Sequence, residues 1–120
     1  MREFSFEKLI VWEKSRQLAV EVYKITKDFP TEERFGLTSQ IRRCSISVSS
    51  NIAEGSGRNS NKDKVRFTEI AFSSLMELLN QLIITQDLQL IDKDTYFELR
   101  LQIEEIGRML NALRKTQLNS

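Results

Sequence analysis

Histidine does not occur anywhere in the 120 residues. Its absence removes the usual general base, the usual metal ligand and the usual activator of a nucleophile. Cys44 is the only cysteine, which excludes an intramolecular disulfide and a thiolate metal cluster built from one chain. One proline and four glycines are too few breakers for strands joined by turns, and they favour long uninterrupted helices. Neither sign of charge is in excess: 18 basic residues face 17 acidic ones, so net charge alone does not mark a nucleic-acid binder. Met1 to Ser5 contain no apolar signal core, and no stretch reads as long enough to span a bilayer. The expectation is a cytoplasmic protein with no membrane partner. What is present, 40% hydrophobic and 29% charged residues, is the mixture of a globular chain, with length for a single domain over residues 1–120.

Four segments carry helical periodicity. In the first, Val11, Leu18, Val22, Ile25 and Phe29 share one stripe, with Trp12, Ala19 and Tyr23 beside them. Pro30 stops it, and Thr31 is placed to cap the second helix, with Glu32, Glu33 and Arg34 in its first turn. The second repeats at Leu37, Ile41, Cys44, Val48 and Ile52 and is ended by Gly55 and Gly57. The third opens after Ser60-Asn61, with Asp63 complementing the helix dipole. Its stripe is Phe67, Ala71, Ser74, Leu78, Leu82 and Thr85, widened by Ile70 and Leu75. The fourth follows Asp92 and repeats at Tyr96, Leu99, Ile103, Ile106, Leu110 and Leu113, the alternating spacing of a bundle seam. Four long helices joined by short loops predict an all-α fold, an antiparallel up-down-up-down four-helix bundle.

The outward face of the second helix is unusual. With Leu37, Ile41, Cys44 and Val48 inward, Ser39, Ile46 and Ala53 point outward at intervals of seven. Cys44 to Ala53 carry no charge, and serine fills positions 45, 47, 49 and 50. A solvated face would carry Lys and Glu and would not select serine for helix propensity. One reading is a contact with another copy of the chain through Ser39, Ile46, Ser49, Ser50 and Ala53. The other is a helix central to the bundle, or serines that bond back to their own backbone.

Basic residues concentrate between Arg42 and Arg66. Arg42, Arg43, Arg58, Lys62, Lys64 and Arg66 against Glu54 and Asp63 give +4, in a chain whose total is +1, which leaves −3 elsewhere. Arg58, Lys62 and Arg66 are four apart, a like-charge spacing that suits a phosphate or an acidic partner. A solvated loop and helix start is the competing reading. No aromatic residue interleaves these positions before Phe67, which predicts backbone or shape recognition of RNA or DNA rather than base stacking.

Other motifs read as structural. Gly55-Ser56-Gly57-Arg58 lacks the lysine-serine ending and the preceding strand of a phosphate loop. Asn51 and Glu54 are placed to hold a neighbouring helix, orient an arginine or cap the turn. Asp92 and Asp94 lack the glycine and later ligands of a calcium loop and read as a cap. Cys44, on an apolar seam, reads as buried packing. With no paired acids and no nucleophile beside a base, the sequence predicts no enzyme, no cofactor and no metal.

Phe6 to Trp12 (FEKLIVW), Val22 to Pro30 (VYKITKDFP), Gly36 to Arg43 (GLTSQIRR), Ser50 to Gly55 (SNIAEG) and Phe67 to Leu78 (FTEIAFSSLMEL) closely resemble the 23S ribosomal RNA intervening-sequence protein family. The resemblance runs from about Phe6 into the fourth helix. It implies an antiparallel four-helix bundle assembled into a ring, typically a pentamer. The family name reflects where some of its genes lie and proves no ribosomal role. A relative in fold, the accessory variability determinant of diversity-generating retroelements, binds nucleic acid and a reverse transcriptase through a basic pentameric surface. By resemblance Arg42, Arg43 and Arg58 match family positions, while Lys62, Lys64 and Arg66 are only generally similar. Ser49 stands where many relatives have proline, and Cys44 where alanine is usual. Two functions therefore stand open: a homo-oligomeric nucleic-acid binder, and a scaffold for another protein with no nucleic-acid role.

Overall fold

A computed structural model describes residues 1–120. It contains four helices and no strand: α1 (Ile10–Thr26), α2 (Leu37–Ser56), α3 (Asn61–Asp87) and α4 (Lys93–Leu118). Short 3-10 turns occupy Ser5–Lys8 and Thr31–Glu33. Bonds between helices fix their directions. Cys44 and Ser47 on α2 meet Glu77 and Ser74 on α3. Thr68 and Glu69 on α3 meet Gln117 and Arg114 on α4, and Lys14 and Glu21 on α1 meet Glu105 and Gln102 on α4. Rising numbers on one helix meet falling numbers on its neighbour, so the helices run up-down-up-down around one core.

That core is the product of the apolar seams. Leu18 and Val22 from α1, Ile41 and Val48 from α2, Leu75 and Leu78 from α3, and Leu99 and Ile103 from α4 are all buried and form one cluster. Apolar residues three and four apart make this possible, because they lie on one side of a helix. α3 and α4 begin on side-chain caps: the Ser60 hydroxyl accepts from the Asp63 amide at 3.1 Å, and the Asp92 carboxylate accepts from the Thr95 amide at 2.7 Å. Each satisfies an amide that the helix leaves without a partner.

Several expectations need correction. Thr31 does not cap α2; it opens the Thr31–Glu33 turn, and α2 starts at Leu37 behind Gly36, which has no side chain with which to cap. α1 ends at Thr26, before Phe29, whose amide closes a turn onto the Thr26 carbonyl. Gly55 does not end α2 but lies inside it, buried against Phe67 of α3. On α3 the buried stripe is Thr68, Ala71, Leu75, Leu78, Leu82 and Thr85. Phe67 and Ser74 sit half-buried at its α2 edge, and Ile70 is on the surface. The reason is that α3 packs against both α2 and α4, so its buried centre is rotated toward α4 from the stripe read in sequence. One further correction concerns bilayer spans: α3 is long and apolar enough to cross a membrane by length and composition. The excess is visible in Ile70, Met76, Ile83 and Ile84, which are exposed opposite a fully packed inner face.

Candidate nucleic-acid interface

The outer face of α2 departs from an ordinary solvent face in the manner its sequence suggests. Ser39, Ile46 and Ser50 are exposed, Ile46 at 44%, while Ser49 and Ala53 are half-buried. Part of the serine content is local: Ser45 and Ser49 donate to the carbonyls of Arg42 and Ile46, three residues back. Part holds the bundle together. Ser47 and Ser74 share a 2.8 Å hydroxyl bond across the α2–α3 seam, and Asn51 donates to both the carbonyl and the hydroxyl of Ser47. Small hydroxyl residues let the two backbones approach closely there. Ile70 lies on the same stripe of α3 as Phe67 and Ser74 and extends the uncharged surface of Ile46 and Ser50 across the seam.

The six basic residues do not form one patch. At about 1.5 Å of rise per residue, the helix between Arg43 and Ser56 separates Arg42 and Arg43 from the others by about 20 Å. Arg58 does not continue a stripe with Lys62 and Arg66. It lies beyond the end of α2, its guanidinium folded 4.6 Å over the Phe67 ring and 4.0 Å from the Glu54 carboxylate. Glu54 thus orients an arginine, weakly at that distance. Lys62 and Arg66 are exposed on the first turns of α3, beside Glu69 and Leu118. Lys64 faces away from them into a cleft that it shares with Ser5, Asn61 and Gln117. Arg42, Arg43, Lys62, Lys64 and Arg66 have no carboxylate within 4.0 Å, whereas Lys14, Arg16, Arg58 and Arg114 do.

Arg42 and Arg43 belong to a neighbourhood that the segment Arg42 to Arg66 does not reveal. Arg42 is fixed on α1: its Nε donates to Thr26 Oγ1 at 2.8 Å, one Nη donates to the Tyr23 carbonyl, and its guanidinium stacks 4.6 Å from the Tyr23 ring centroid. Arg43 donates to Gln40 at 2.7 Å. Arg34 and Phe35, from the segment before α2, join them around a groove of about 650 Å³. Ser39 and Ile46 lie on its rim rather than on a separate face. In the sequence Tyr23 and Arg34 have structural places only and Phe35 does not stand out, so none of the three is among the site residues read there. The signal available was an arginine-aromatic pair next to a glycine that opens a helix. Aromatic groups therefore stand beside Arg34 and Arg42 in space, although none interleaves the basic residues from Arg42 to Arg66 in the sequence.

Cys44 and Asp92 are titratable groups shifted by their surroundings. The Cys44 thiol is buried and donates to Glu77 Oε2 at 3.1 Å. Burial first, and the Glu77 carboxylate second, push its pKa up to about 11, so the nucleophilic thiolate is suppressed at neutral pH. Asp92, held by the Thr95 amide, stays below the usual carboxylate range, as a helix cap does. No three of the His, Cys, Asp and Glu side chains cluster in a way that would hold a metal ion.

Seams, caps and crossings of this kind define an all-α antiparallel four-helix bundle, with unneutralised basic groups at both ends of its second helix. The family described as 23S rRNA-intervening sequence protein matches residues 7–112, and the chain belongs to it. Among solved structures, a protein with unknown function from the S23 ribosomal protein family of Bacteroides thetaiotaomicron is similar at 25% identity, covering 88% of this chain and 96% of that one, with a TM-score of 0.82. No curated protein matches the sequence.

Proposed function

We propose that this protein is a non-enzymatic homo-oligomer, of the ring type and pentameric, that binds nucleic acid through its basic groups. The observation that carries the reading is that Arg42, Arg43, Lys62, Lys64 and Arg66 stand without a carboxylate partner on a chain of nearly balanced charge. Unpaired cations at a surface cost little in water and gain strongly from phosphate, which releases its condensed counterions when they bind. A ring would repeat both basic ends around an axis and turn a modest charge into an extended field. The uncharged strip of Ile46, Ser50, Ala53 and Ile70 supplies the self-contact. Apolar surface flanked by small residues lets a second copy pack closely, and no charge must be desolvated there.

The test is fluorescence anisotropy with labelled RNA and DNA across a salt series. Binding is expected to weaken by about 0.7 to 0.9 log units per phosphate contacted for each tenfold rise in salt. The triple variant Lys62→Glu, Lys64→Glu, Arg66→Glu is expected to bind at least tenfold more weakly. Equal binding by that variant removes the role of the α3 start, and absence of any binding at low salt favours the scaffold reading, which rests on the same unpaired cations meeting an acidic protein. Self-association is tested separately by light scattering: Ile46→Lys is expected to lower the assembly mass at unchanged helicity.

A further inference from the structure

The groove at the start of α2 has the make-up of a nucleotide site. Three guanidinium groups, those of Arg34, Arg42 and Arg43, border it, and no carboxylate does. Each arginine is already oriented without being neutralised: Arg34 lies 5.5 Å over the Phe35 ring, Arg42 lies over Tyr23, and Arg43 is held by Gln40. Phe35 is 89% exposed. A phenylalanine so displayed, with an arginine over one ring face, gains nothing from water and offers its other face for stacking.

Two features of the helix start point to an anion. The amides of Leu37, Thr38 and Ser39 have no acceptor in the protein, because the capping position is Gly36 and the Glu33 carboxylate, 3.5 Å from where a Gly36 Cβ would stand, makes no hydrogen bond to them. Thr38 is a buried residue, 7% exposed, at the edge of the groove, and its buried hydroxyl has no hydrogen-bond partner. Buried hydroxyls without partners are rare because the lost hydration is not recovered. A phosphate oxygen over the first turn of α2 would accept from the free amides and, after a rotation of the Thr38 side chain, from its hydroxyl. The helix dipole favours negative charge at that same point.

We infer that this groove binds an unpaired nucleotide of a single-stranded nucleic acid, with its phosphate at the amino end of α2 between Arg34 and Arg42, and its base stacked on Phe35. The inference rests on the nucleic-acid reading above and adds strand class, site and stacking residue. A duplex presents no free base face, so single strands are preferred. Ile46, at the groove's rim, also belongs to the self-contact strip, and Ser50 and Ala53 carry that strip along α2 away from the nucleotide.

The experiment is a titration of isotope-labelled full-length protein with a single-stranded hexanucleotide, followed by amide chemical shifts, with a duplex of matching sequence in parallel. The expected result is shifts at Leu37, Thr38 and Ser39 with the single strand, and a Phe35→Ala variant that binds it about fivefold more weakly or worse, the loss of one base stack. Because Phe35 is on the surface, that variant keeps the fold, which helicity confirms. Shifts confined to residues 61–66, or an unchanged Phe35→Ala affinity, overturn the groove and leave the nucleic-acid reading standing. No shift anywhere with either strand form overturns both. Loss of assembly mass in Phe35→Ala without loss of affinity also overturns the inference, since the groove would then belong to a neighbouring copy.

Discussion

Replacing Gly55 by alanine tests the most crowded of the four glycine positions. A Cβ at Gly55 would lie 2.8 Å from the Cβ of Phe67, well inside the 3.5–4.0 Å of a comfortable carbon-carbon contact. The atom it meets is fixed to the backbone of α3, so no change of rotamer relieves it, and α2 and α3 must move apart. Overpacking of this sort costs about 1–3 kcal/mol, offset by up to about 1 kcal/mol for the better helix propensity of alanine. A net loss of about 1–2 kcal/mol remains. For a chain of 120 residues, an unfolding entropy of about 2.1 cal/mol/K per residue converts each kcal/mol into about 4 °C of Tm. Gly55→Ala should therefore lower Tm by about 4–8 °C in a calorimetric scan. Gly107, in the middle of α4, supplies the control. A Cβ there meets Leu75 and Phe72 at 3.6 and 3.7 Å, ordinary contact distances, so Gly107→Ala should gain about 0.5–1 kcal/mol and raise Tm by about 2–4 °C. The reasoning fails if Gly55→Ala melts at or above the parent temperature.

Further outcomes follow from the buried thiol and from the α4 cap. The folded Cys44 thiol keeps its proton up to about 11 against an ordinary 9.0; the unfolded chain gives up that proton first, so stability should fall as pH rises through this window. Urea melts of parent and Cys44→Ala protein should converge toward alkaline pH, and parallel curves would refute the assignment. Alkylation of Cys44 at pH 8 should require unfolding. The Asp92 carboxyl is held below its usual range by the Thr95 amide, so its contribution is present above about pH 4 and is lost as pH falls through the lowered folded value. Asp92→Asn, which still caps, should therefore lessen the acid sensitivity of α4, while Asp92→Ala should lower Tm at neutral pH as well.

The core was legible in the sequence, and its edges were not. The α4 seam from Tyr96 to Leu110 was read residue by residue, because its buried residues follow one alternating three-and-four spacing along the helix. α3 was harder: it packs on two neighbours, so residues such as Phe67, Ser74 and Ile70 mark a second edge that a single stripe absorbs. The end of α3 was invisible for a different reason. Gln89 takes a positive φ of 61° and the Leu90 amide reaches back to the Thr85 carbonyl, a closure usually announced by glycine. Gly55 was visible as a residue but misread, since a glycine demanded by a helix crossing looks the same in sequence as one that ends a helix. The groove escaped because its parts, Tyr23, Arg34 and Arg42, come from α1, the connection and α2, and only the α1–α2 packing brings them together.

The seam between α1 and α4 differs in kind from the others. Its bridging contacts, Lys14 to Glu105 and Gln102 to Glu21, lie in partly exposed positions, where such pairs contribute little. Two of the buried residues of α1, Ser15 and Thr26, use their hydroxyls on their own helix, bonding to the Val11 and Val22 carbonyls. The ten residues 27–36 that lead to α2 contain no α-helix and act as a tether. α1 is therefore held by its core side chains and, on the α2 side, by Arg42, and its α4 edge is where sub-global opening should begin, with α1 amides exchanging before those of α2 and α3. Opening of that kind would expose the apolar inner face of α1, Leu18 and Val22, while the α2–α3 contact stays closed.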